Sequence, residues 1–152
     1  MPIEYIWAWG GFALATIVCA AALIWGGTAG RVVAATFWIA WVLSLLVASH
    51  DPHRPGIQVD LIDVVVLVVF VVVSFRTRRL WTMFAAACQL DDVVSHFGGR
   101  LLHYGISSTI TATGIWGGYA LIACIAAGIV THQRELRRNA ALADGASTPL
   151  SS

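Results

Sequence analysis

The chain has 152 residues, 59% of them apolar or aromatic and only 11% charged, where an average soluble domain carries about 25% charged residues. That composition excludes a disordered tail, a basic nucleic-acid module and an ordinary water-soluble globule. The nine basic residues are all arginine, set against eight acids for a net charge of +1, so no global field draws in a polyanion. The class left is an all-α polytopic protein of an inner membrane.

A helix that crosses ~30 Å of hydrocarbon needs roughly 20 mostly apolar residues. In chain order the expected spans are 5–27, 32–49, 57–75, 80–98 and 106–131. The first opens on Tyr5, Trp7 and Trp9, which read as anchors at the outer interface, with Trp25 and Trp81 at the inner one. Trp38, Trp41 and Trp116 read as lipid-facing or inter-helix packing. No basic residue precedes the first apolar stretch, so it reads as a retained span rather than a cleavable signal. Connections are short: a glycine-containing turn at 28–31, a proline-bounded loop HDPHRPG at 50–56, a basic hairpin RTRR at 76–79, and a glycine-bounded loop at 98–105. Beyond Thr131 the helix is expected to continue to about residue 138, followed by a flexible tail at 139–152. Residues 1–138 form one helical domain, with no repeat.

The fourth span is the contested one, because it contains Asp91, Asp92 and His96. A carboxylate at a helix centre costs about 2.5–3.5 kcal/mol on the insertion scale. Arginine placement decides the matter. With five crossings, seven arginines (31, 76, 78, 79, 134, 137 and 138) share one side and only Arg54 and Arg100 the other. Without the fourth crossing the split falls to five against four. Basic residues are retained on the cytoplasmic side, which puts the N-terminus outside and the C-terminus inside.

On that topology four of the five histidines and six of the eight acids gather toward the outside. Spans three and four form an antiparallel hairpin about RTRR, so residues at equal depth have numbers summing to about 155. Asp63 then faces Asp92, and Asp60 faces Ser95 and His96, with Asp63 and Asp92 on the order of 9 Å beneath the outer surface at ~1.5 Å per residue. Cys88, Asp92 and His96 lie on one stripe at i, i+4, i+8, and Asp60 and Asp63 at i, i+3. Ionisable groups at such depth face the bundle interior and pair.

Three carboxylates so close cannot all carry charge uncompensated. A shared proton, a protonated His96 or a bound cation would settle them. One reading is a structural polar network that locks the hairpin; Asp60 could also complement a helix N-terminus. The other is an outward-facing cation site on Asp60, Asp63, Asp92 and His96, with His50, His53 or His103 reaching in from loops. Carboxylate plus imidazole suits zinc, manganese or non-haem iron, although no HExxH or CxxC spacing is present. A haem would want two facing histidines at one depth, and only His96 is clearly helical. The inner half has no continuing acid chain for a complete proton path. No cofactor is expected beyond a divalent metal that the cluster could accept. Cys19, Cys88 and Cys124 are singletons, read as buried structural thiols.

In the fifth span Gly114, Gly117 and Gly118 form a small-residue surface continued by Ala123, Ala126, Ala127 and Gly128; Gly10, Gly11 and Ala15 give the first span a similar patch. Such surfaces let helix backbones approach closely, within the bundle or against another membrane subunit.

Trp81, the Gln89-Leu90 pair, His96 and the segment Trp116-Gly117-Gly118-Tyr119 together resemble small bacterial polytopic membrane proteins in which Trp, Gln-Leu and a downstream His recur along one helix before a Trp-Gly-Tyr segment. The resemblance covers about the last half of the chain and implies no activity. Asp91-Asp92 is an addition to that pattern. No catalytic triad, phosphate loop or dinucleotide fingerprint appears. The expectation is a non-catalytic membrane protein, an accessory or assembly subunit of a larger inner-membrane complex. Its partners are the lipid bilayer and other membrane subunits, with no nucleic acid. The alternative is cation binding or transport through the Asp/His cluster.

Overall fold

The structure, a computed structural model, describes the backbone of residues 3–50, 55–101 and 118–146, and side chains within 9–47, 58–97 and 118–144. Five α-helices and no strands occur among the described residues: α1 (Ile3–Trp25), α2 (Thr28–His50), α3 (Pro55–Thr77), α4 (Leu80–Leu101) and α5 (Leu121–Ala146). Each of the first four expected spans corresponds to one helix, longer than expected at one or both ends. Residues 106–117 lie outside the described residues.

The turns are tighter than the sequence suggested. Only Gly26 and Gly27 separate α1 from α2, so the expected turn at 28–31 is already helical. Arg78 and Arg79 alone join α3 to α4. Arg78 adopts the left-handed conformation, φ 51°, and its N–H bonds Ser74 O at 2.9 Å, closing α3 with the single bond of an αL cap. Thr82 Oγ1 donates to Arg79 O at 2.7 Å, Thr77 Oγ1 to Val73 O at 2.8 Å, and the two hydroxyls lie 3.2 Å apart. The two carbonyl bonds stay within their own helices, and the Thr77–Thr82 contact joins the helices at the closed end.

Cross-helix contacts give the directions. Thr77 meets Thr82 and Asp63 O accepts from Gln89, which makes α3 and α4 antiparallel. Gly11 faces Tyr119, Gly27 faces His132, and Trp25 O accepts from Gln133 at 2.8 Å, so α1 and α5 run parallel. The helices close a ring: α1 on α2, α2 on α3, α3 on α4, α4 on α5 and α5 back on α1. The start of α1 and the end of α5 therefore lie at opposite ends of the bundle. The core runs through Cys19, Val33, Phe37, Phe70, Leu121 and Ile125. Phe12 and Phe37 both meet Trp41 edge-on.

Two expectations change, and the expected glycine surface is only partly described. Trp81 is buried, not an interfacial anchor: its indole packs on Gly128, where an added Cβ would lie 3.0 Å from the ring. Gly118 has open space where its Cβ would be, whereas Gly114 and Gly117 lie outside the described residues. The glycine of α5 that permits close approach is thus Gly128. The helix also persists to Ala146, past the expected start of the tail, through Ala140, Ala141, Leu142 and Ala143, all strong helix formers.

Among the described residues two helical segments, Thr28–Val47 and Gln58–Thr77, are long and apolar enough to cross a membrane, by length and composition. The apolar part of α1, Trp9–Trp25, is shorter; α4 is interrupted by Asp91 and Asp92, and α5 turns polar beyond Thr131.

Gly128→Leu should destabilise the bundle by about 1–3 kcal/mol, the usual range for overpacking. Gly10→Ala, with no atom near the new methyl, should be neutral or stabilising by up to about 1 kcal/mol. Thermal unfolding in detergent checks both; equal effects would contradict this packing.

Candidate cation site between α3 and α4

The pinned hairpin carries its acids into register. Asp60 and Asp63 lie one turn apart on α3, while Asp92 and His96 lie one turn apart on α4. His96 Nδ1 is 3.4 Å from Asp60 Oδ1 and 3.3 Å from Asp63 Oδ2, and its Nε2 is 3.9 Å from Asp92 Oδ1. All four residues that the sequence singled out are therefore brought together, with the imidazole between carboxylates from both helices. Ligand atoms of Asp63, Asp92 and His96 all lie within 4.8 Å of one another.

Asp60 and Asp92 are buried, at 5% and 7% relative exposure. Asp63 and His96 are partly buried. Adjacent residues on a helix point about 100° apart, so Asp91 is exposed while Asp92 faces inward. The pair is functionally one inward carboxylate and one outward.

Asp63 Oδ2 and Asp92 Oδ1 are closed to water and have no hydrogen-bond partner among the described residues. The 3.3 Å approach of His96 to Asp63 is thus an ion-pair distance without hydrogen-bond alignment. Burying a carboxylate oxygen unsatisfied costs free energy, about 1–3 kcal/mol or more for a charged group, which makes these two atoms the highest-energy acceptors in the site.

Gln89 is the site residue that the spacing analysis passed over. It is buried, and its Nε2 donates to Asp63 O at 3.5 Å, tying α4 to the α3 backbone beside the cluster. Its position three residues before Asp92 places it on the same face, and that was the available signal.

Among the described residues no second imidazole joins the cluster: His132 lies against Gly27. His50, His53 and His103 lie outside the described residues. Cys19 and Cys88 are buried free thiols and Cys124 is half-buried. The donor set is therefore carboxylate-rich with one imidazole, suited to a divalent cation. No family model matches this chain, and no curated protein or solved structure matches it either.

Removing the imidazole leaves three clustered carboxylates facing each other. His96→Ala should cost about 3–5 kcal/mol of stability, the scale of breaking a buried charged pair. Adding Asp63→Asn should recover part of it, a coupling of roughly 1 kcal/mol or more. Additive losses in chemical denaturation would contradict a coupled cluster.

Proposed function

We propose that the chain is a multi-pass inner-membrane protein whose α3–α4 hairpin binds a divalent metal ion through Asp60, Asp63, Asp92 and His96. The observation that carries this reading is the pair of buried oxygens, Asp63 Oδ2 and Asp92 Oδ1, which have no hydrogen-bond partner among the described residues and flank one imidazole. Metal–oxygen and metal–nitrogen bonds of 2.0–2.2 Å place neighbouring ligands of a tetrahedral ion about 3.3 Å apart. The His96 Nδ1 contacts to Asp60 and Asp63 have that spacing and lack hydrogen-bond alignment at Asp63. A dehydrated cation held by Asp63, Asp92 and one nitrogen of His96, whose ligand atoms lie within 4.8 Å of one another, would offset the mutual repulsion of the carboxylates.

The bilayer setting is supported by the outer faces of the helices. Only 28% and 22% of the two candidate spanning segments is buried inside the bundle, unlike the core helix of a soluble protein. Ile17, Leu23, Ile39, Leu45, Leu61 and Val68 are all exposed, an apolar surface that in water would aggregate and in hydrocarbon costs nothing. Parallel α1 and α5 are consistent with five passes and termini on opposite sides. The arginine-rich end at Arg76, Arg78 and Arg79 would then be cytoplasmic, and the cluster lies toward the opposite, outer end of the hairpin.

The accessory-subunit expectation, which rested on the short connections and on the small-residue surfaces of the first and fifth spans, is kept second because the cation site has a specific geometric observation behind it.

Protein purified from membranes without chelators should carry close to one equivalent of a divalent transition metal by elemental analysis. Asp92→Asn and His96→Ala should each lower occupancy by at least tenfold, the effect of losing one ligand or its close support. Background metal in the unaltered protein, or equal metal in Asp92→Asn, would overturn the reading.

A further inference from the structure

A second feature lies at the other end of the bundle. Between α4 and α5 opens a cleft of about 550 Å³, walled by Leu80, Trp81, Phe84, Ala123 and Ala127, with Arg79 and Glu135 at its mouth. Arg79 Nη2 bonds Glu135 Oε2 at 2.7 Å, and both side chains remain partly exposed, at 36% and 52%. The cleft exists because α5 presents alanines at 123 and 127, one turn apart, opposite the large Phe84. Its volume is within the roughly 300–1,000 Å³ of ligand sites.

Charge at the mouth is one-sided. Arg76, Arg78 and Arg79 come from the α3–α4 turn, and Arg134, Arg137 and Arg138 lie on the same end of α5, against Glu135 and the more distal Asp144. Arg79 offers five N–H donors, and Glu135 engages one nitrogen of the guanidinium. An occupant that matches both parts needs an anionic head and an apolar chain continuous with it.

We infer that this cleft seats one anionic phospholipid of the cytoplasmic leaflet, phosphate at Arg79 and an acyl chain along Phe84, Ala123 and Ala127. A basic cluster at the cytoplasmic end of membrane helices is the recognised chemistry for anionic headgroups. The inference depends on the bilayer setting proposed above and not on the metal site, so cation binding is unaffected by loss of the lipid.

Native mass spectrometry of the full chain, released from nanodiscs of equal phosphatidylglycerol and phosphatidylcholine with matched chains, tests it. One phosphatidylglycerol should be retained in preference to phosphatidylcholine. Arg79→Gln should lower that preference about fivefold, the effect of one basic side chain at the headgroup. Glu135→Gln breaks the same ion pair but spares the guanidinium, so it should keep or raise the preference. Ala127→Phe, or Ala123→Leu should the first not fold by circular dichroism, fills the cleft and should abolish retention of either lipid while metal content stays unchanged. No retained lipid in the unaltered protein, equal loss in Arg79→Gln and Glu135→Gln, or retention unchanged with the cleft filled would each overturn the inference. So would displacement of the retained lipid by an acidic soluble peptide. Failure of the chain to fractionate with membranes would instead overturn the bilayer reading itself.

Discussion

The register of the α3–α4 hairpin is the constraint on which the site depends. Two residues make the turn, and Arg78 in the left-handed conformation lets α4 start back along α3 at once. Thr77 and Thr82 then meet across the closed end, their hydroxyls 3.2 Å apart, each also bonded to a carbonyl of its own helix. Helices are stiff, so a register set there is carried along the whole hairpin. One residue of slip would move a side chain ~1.5 Å along the axis and swing it about 100° around it. That is enough to take His96 out from between Asp60, Asp63 and Asp92.

Holding those groups together runs against the rest of the bundle. The interior is mostly Ala, Val, Phe, Leu and Ile, with Trp81 and two cysteines, and offers few donors to a carboxylate. A protonated His96 alone contributes one positive charge to three acids, and two of their oxygens have no hydrogen-bond partner among the described residues. A purely structural network is therefore incomplete as an explanation, because polar groups that serve only as inter-helix glue are normally satisfied by one another. A divalent cation, as proposed, would supply the missing charge and the missing bonds in one step. The two ends of the hairpin thus divide their chemistry: acids and imidazole at the open end, arginines at the turn.

Much of this was legible before the structure. Counting outward from the RTRR turn pairs Asp63 with Asp92 and Asp60 with His96, because antiparallel helices joined by a short turn leave no freedom in that sum. The helix boundaries at 26–27 and 78–79 were less legible; Thr28 and Arg76 read as loop residues by composition, yet each helix continues through them. Trp81 differs from expectation for another reason. Apolar periodicity cannot distinguish a side chain that faces lipid from one that faces a neighbouring helix when both environments are apolar, so an interfacial anchor and an inter-helix packing residue look alike. A small-residue motif has the same weakness: it says that close approach is allowed, not which glycine is approached, and Gly128 rather than Gly118 meets a ring. Gln89 was overlooked because an amide lacks the cost that makes a buried carboxylate conspicuous.

The account's central claim is a single metal centre spanning both helices of the hairpin, and X-ray absorption at the zinc edge of the reconstituted protein tests it most directly. One imidazole nitrogen and two or three carboxylate oxygens at about 2.0–2.2 Å, with no sulfur, are expected. A shell of water oxygens without the imidazole contribution, or one that includes a cysteine sulfur, would contradict it.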